Sequence, residues 1–422
     1  MEKQDKGTVT GINGSDEHTD RVNGDTHTVT AMHKGKELIN LTVMIVLFMG
    51  YSLTFLVPKF YGATDRYVGL FVSLCLIILF FNNISLPAVI RHRDKEFIFV
   101  ALLCIVALIN LVIVRSGFGA FFVAFDFIMI FYLSRYITFG ERSLYILSGA
   151  YALLLLYWFI VAYKKLFADF AFYGYNTNTA ATFTIYTLLC AFMLLELIKE
   201  KLPFPILKKY PQIPGFFMTL LIIKGFQLSL WHRARGAFIM LVMFMVFRYL
   251  IPRKWWQKKA FYNAVWIFAT LGSLMFVFFY IMLSKTGVNF RLPFFYKSVF
   301  SGRELIWKEF FDLFAEKPLT GIGTNAVIES FFEFNVHNAM YNFLVIHGIA
   351  VFSGILVLIY LRAGHLYQAV KLSSISRCAM VILLAVFIES FFDVDLIWAD
   401  YSLNLLYLLT FAGSGKGING EA

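Results

Sequence analysis

The sequence predicts an all-α, polytopic membrane protein with about twelve transmembrane helices, and three observations carry that reading. Of its 422 residues, 59% are hydrophobic and only 15% are charged. Mean hydropathy is +0.72, wrong for a soluble chain of this length. The charges gather between apolar runs of roughly 18 to 25 residues, the length that crosses a hydrocarbon core. Only helices or closed barrels satisfy every backbone group in lipid, so the chain reads as one helical domain and not as two or three soluble ones.

The net charge of +11 is spread over many short loops and forms no single patch for nucleic acid. Membrane orientation explains it better. Cys75, Cys104, Cys190 and Cys378 fall in or beside apolar runs without CxxC spacing and read as small core residues.

In chain order, residues 1–37 are rich in Thr, Gly, Asp and His, lack apolar periodicity and hold no signal-peptide core, so they read as a disordered tail. His18, His27 and His33 are spaced too irregularly there for a metal site. Spans follow at about 38–57, 67–90, 96–114, 119–138, 143–163, 179–198, 213–231, 235–251, 260–284, 338–361, 376–391 and 394–412. They make a single transmembrane domain over 38–412, followed by a short tail at 413–422. With a cytoplasmic N-terminus, the basic loops at 91–95, 135–142, 199–209, 248–259 and 362–377 all fall inside. Both termini are then cytoplasmic. YNTNT at 175–179, HRARG at 232–236 and a polar insert at 285–338 share the outer face, which is where an active site is expected.

The insert is the longest well-charged segment in the body of the chain. Ser301 stands three residues before Glu304, the pattern of a capping box, and Ile306, Phe310, Leu313 and Phe314 recur at helical spacing until Pro318. A short amphipathic helix at the membrane surface is expected. Arg303 falls in its first turn, where free N–H groups and an arginine suit a phosphate. The same position also fits an arginine snorkelling to the interface. Arg233 and Arg235 flank the eighth span, where arginine is costly unless it pairs or reaches water, and Gly236 lets a backbone or ligand approach. His337 and Asn338 stand where the insert re-enters the membrane. Histidine there is either a proton acceptor near neutral pH or a structural residue. His347, deeper in that span, lies on another helical face. Asp393 and Asp395 make a DxD turn, read as solvated rather than metal-binding. No HExxH, GxSxG, P-loop or metal-spaced Cys/His set occurs, so neither a metal nor a cofactor is expected.

The run SGRELIW, then KPLTGIG, then VHNAMYNFLVIHGIAVFSG, with ARGAF and NTNTAA upstream, resembles the signature region of the O-antigen ligase and O-antigen polymerase superfamily. The likeness covers about 232–354 and 176–181; elsewhere only the span count and topology agree. Ala234 stands where serine is more usual, and His347 where an acidic residue is frequent. The resemblance implies a GT-C-like, inverting, metal-independent membrane glycosyltransferase at the outer face of a bacterial cell membrane. Its donor is a polyprenyl pyrophosphate carrying an oligosaccharide. It further implies that Arg235 and Arg303 grip the pyrophosphate, that His337 takes the acceptor proton, and that Arg233, Asn338 and Asn178 assist in substrate binding. The partners implied are donor glycan, acceptor glycan, membrane lipid and other polysaccharide assembly proteins. A polymerase joining repeat units of O-antigen, capsule or exopolysaccharide is the expected function. A ligase passing finished glycan to another acceptor needs the same donor site. A transporter or flippase is the rival of another class, with Lys224 inside a span.

Overall fold

The structure is a computed structural model that describes residues 17–162, 177–287, 291, 295, 302–329 and 335–414, with the backbone alone at 17–33, 58–66, 161–162 and 177. Among the described residues its regular structure is helical, and every apolar run predicted as a span contains a helix over at least part of its length. In order these are α1 (Glu17–Leu56), α2 (Pro58–Asn83), α3 (Leu86–His92), α4 (Lys95–Ile113), α5 (Phe118–Leu133), α6 (Glu141–Tyr157), α7 (Thr177–Lys201), α8 (Pro205–Lys209), α9 (Ile213–Trp231), α10 (Arg235–Met245), α11 (Arg253–Trp256), α12 (Lys259–Ser284), α13 (Arg303–Glu316), α14 (Ala339–Leu372), α15 (Ser374–Glu389) and α16 (Ser402–Gly413). Seven helices are long and apolar enough to cross a membrane, or eight if Tyr67–Asn83 and Leu86–His92, bent by 68°, count as one span. The chain is thus a helical, multi-pass membrane protein.

Local chemistry sets several boundaries. Pro58 opens α2 at its first position, where the missing N–H costs nothing. Asp94 caps α4 by accepting from the Glu96 N–H at 2.9 Å. Ser373 separates α14 from α15 by capping the latter. Two expectations shift. Helix α1 reaches back to Glu17, into the stretch read as a tail, while residues 1–16 and 415–422 lie outside the described residues. Helix α14 continues to Leu372 and α15 begins at Ser374, so Arg362 and Arg377, read as loop cations, lie on helices and are buried at 4% and 7% exposure.

The core is organised on α15. Residues 375–389 are all buried, enclosed by α7, α10, α12, α14 and α16. At the start of α15, Glu196 of α7 accepts from Arg248 at 2.5 Å and from Ser374 at 2.6 Å. A charge pair this deep holds only because each group is also hydrogen-bonded.

The tenth predicted span is not a continuous helix. Gly348 breaks α14 with φ 75° and ψ 171°, and the KPLTGIG loop fills the break. The Ile349 N–H donates to the Pro318 carbonyl at 2.9 Å, and the Ile322 and Gly323 N–H groups donate to Val345 and Ile346. Asn110 of α4 donates its amide to the Thr320 and His347 carbonyls at 2.6 and 2.7 Å. The contact requires glycine. A Cβ on Gly348 would lie 2.2 Å from the Leu319 oxygen, and one on Gly321 would lie 2.5 Å from the Ile346 oxygen. Irregular backbone inside a membrane protein survives only when its polar groups are satisfied in this way.

Candidate functional site

Four elements converge on a small cleft lined by Asn178, Arg235, Gly236, Arg303, Glu389 and Asp393, among others. Arg303 is the first residue of α13, and Gly302 is its cap. Ser301 lies outside the described residues, and Glu304 falls at the second helical position, so the expected capping box gives way to a glycine cap. The helix is amphipathic as expected. It buries Ile306, Trp307, Phe310 and Phe314 against α12 and α14. The Trp307 indole donates to the Val336 carbonyl at 2.6 Å, and the Tyr341 hydroxyl donates to the Trp307 carbonyl at 2.8 Å. These bonds fix the start of α13 beside the entry to α14.

Arg235 opens α10 on the other side of the cleft. Gly236 behind it faces the Glu389 carboxylate so closely that a Cβ would sit 2.6 Å from Oε1. The glycine therefore admits a buried acid, where the sequence suggested only close approach of a backbone or ligand.

His337 adopts φ +51°, a conformation uncommon for a residue with a side chain, and its N–H donates to Asn335 at 2.9 Å. Its Nδ1 stands 3.6 Å from Asp393 Oδ1, and Arg303 Nη2 stands 3.8 Å from Asp393 Oδ2. One carboxylate thus bridges the two ends of the insert. Burial pushes the Asp393 carboxyl up, but the adjacent His337 imidazole and the Arg303 charge outweigh it and hold the group below the usual aspartate range. Asp395 faces away, is 3% exposed and bonds Thr182. Its own burial, and then the Asp393 charge, push it well up. The DxD turn is therefore divided: one aspartate serves the cations and the other the scaffold. This corrects the reading of both as solvated. Among the described residues, no group of three or more His, Cys, Asp or Glu side chains has the arrangement of a metal site.

Other sequence candidates separate from the cleft. Asn338 is fully buried, with its oxygen accepting from the Tyr341 N–H and the Ser273 hydroxyl, both at 2.9 Å, and its amide donating to the Phe391 carbonyl at 3.1 Å. It caps α14 and does not line the cleft, and the carboxylate beside His337 is that of Asp393. Arg233 is exposed in the turn before α10 and does not line the cleft. His347 is buried at the α14 break, as its separate face suggested, with no partner for Nε2 among the described residues. Lys224 donates to Gln227 at 3.0 Å on an exposed part of α9. Of the YNTNT segment, residues 175–176 lie outside the described residues. Glu389 was missed and Asp393 was read only as part of a solvated turn, although two arginines and a histidine gathered at a half-buried site call for an acid. No protein-family model matches the chain, and no curated protein matches it in sequence.

Proposed function

We propose that this protein is a polysaccharide polymerase that joins glycan repeat units carried on polyprenyl pyrophosphate at the outer face of a bacterial cell membrane. In this reading the chain crosses the membrane about twelve times with both termini cytoplasmic, and the short buried helices α15 and α16 count among the crossings. One observation carries the proposal. Arg235 and Arg303, distant in sequence, line a single cleft, and Arg303 shares Asp393 with His337.

The chemistry follows from that arrangement. The two guanidiniums bind the donor pyrophosphate and stabilise the charge that builds on it as the glycosidic bond weakens. Arg303 exchanges its long contact with Asp393 for the phosphate oxygens. The acceptor hydroxyl oxygen attacks the anomeric carbon of the donor sugar from the face opposite the pyrophosphate. The new C–O bond forms as the old one breaks, polyprenyl pyrophosphate leaves with the bonding electrons, and the acceptor proton passes to His337. Asp393 holds the imidazole and offsets the positive charge it gains. Inversion at the anomeric carbon results.

The transporter reading deserves one comparison, because α14 is broken and broken helices are a mark of transporters. Here the break is filled by the protein's own KPLTGIG loop, with its backbone groups bonded. That is a brace for the insert, and it favours a fixed site over a moving one. A ligase would share the donor site and differ in the acceptor. Purified protein given a lipid-linked repeat unit separates them: a ladder of products marks a polymerase, and a single addition to a foreign acceptor marks a ligase. Unchanged polymer yield after both His337→Ala and Arg303→Ala would end the transferase reading.

A further inference from the structure

Helix α14 carries a second polar site at its other end. From His337 to Arg362 the chain runs roughly 35 Å at 1.5 Å per residue. There the ends of α5, α14 and α16 border a cavity of about 210 Å³ whose polar lining includes Ser134, Arg135, Thr138, Arg362, His365 and Ser414. Arg362 is 4% exposed. One of its terminal nitrogens donates to the Ser134 carbonyl, while its Nε, also buried, has no hydrogen-bond partner among the described residues. Glu96, the carboxylate whose field reaches it, is engaged by Arg135 at the cavity rim. A guanidinium stays protonated at any accessible pH, so a buried one with an idle donor and a cavity in front of it is costly until an anion pairs with it.

We infer that this cavity is an anion-binding site that takes a phosphate group. Two arginines offer the forked donors that match phosphate oxygens, a histidine stands beside them, and Ile137, Phe139 and Leu366 add apolar wall. A phospholipid headgroup and free phosphate present the same chemistry to these donors. The site lies away from the candidate transfer cleft and does not depend on the reading of that cleft.

The test uses the full-length protein in nanodiscs of phosphatidylcholine. Its melting temperature is measured with inorganic phosphate against sodium chloride of equal ionic strength, and separately with phosphatidic acid added to the bilayer and no free phosphate. A rise of a few degrees with phosphate identifies a soluble ligand, and a rise with phosphatidic acid identifies a lipid headgroup; either supports the site. Arg362→Gln should abolish the rise. Arg135→Gln, at the exposed rim, should reduce it by at least half, and it keeps the test decisive if Arg362→Gln does not fold. No rise with either ligand, or an undiminished rise in Arg135→Gln, overturns the inference.

Discussion

At the residue scale, the cleft is a cluster of charges gathered by Asp393, and its acid response has a defined sign. A carboxylate held below its ordinary range contributes stability that is present above the unfolded value and lost as pH falls through the folded one. His232, in the turn before α10, adds to this: burial lowers its imidazole to about 4. Its neutral form is the folded one, so its contribution is full above the ordinary histidine value near 6.5 and falls away as pH drops towards 4. Thermal unfolding between pH 7 and 4 should therefore show a steeper loss in the wild type than in His232→Gln, whereas Asp393→Asn should flatten the loss only below the ordinary aspartate value of 3.8. Asp393→Asn should also slow glycan transfer by roughly 10²-fold, the lower end of what a positioned proton acceptor contributes. Arg235, Arg303 and His337 were legible from residue order because each sits in a short motif. Asp393 was not, because its partners lie far away in sequence and a DxD in a turn looks solvated. Glu196 left a clearer sign, a lone acid within an apolar run, which by default marks a paired or functional group.

At the element scale, the broken α14 and its plug are the feature that positions the insert. Gly348→Ala and Gly321→Ala should each cost about 1–3 kcal/mol from the left-handed backbone alone, and more from the clash with facing carbonyls. Gly364→Ala, on the same helix with open space around it, should be neutral or slightly stabilising. Asn110→Ala strips two carbonyls of their donor and should cost about 1–3 kcal/mol. Unfolding in detergent ranks all four. A Gly348→Ala protein as stable as Gly364→Ala would refute the plug. The helices themselves were readable because each apolar run is long enough to decide its own structure. The break was not, since an isolated glycine is tolerated within a helix and the reason for this one lies in a loop that precedes the helix.

At the scale of the whole molecule, one interior helix gathers the bundle and the polar insert closes over its end. Sidedness rests on loop charge, and labelling checks it. The native cysteines are buried or half-buried, so introduced ones report with little background. A membrane-impermeant maleimide added to intact cells should label Asp312→Cys on α13 and leave Lys254→Cys on α11 unlabelled until the membrane is opened. The reverse pattern would invert the topology and move the cleft to the cytoplasm. The central claim concerns transfer of glycan from polyprenyl pyrophosphate, and reconstitution tests it most directly. Purified protein in liposomes, supplied with a polyprenyl-pyrophosphate-linked repeat unit, should yield a ladder of lengthening products and release polyprenyl pyrophosphate, and His337→Ala should bind the donor but make no ladder. No product from the wild type, or an equal ladder from His337→Ala, would contradict it.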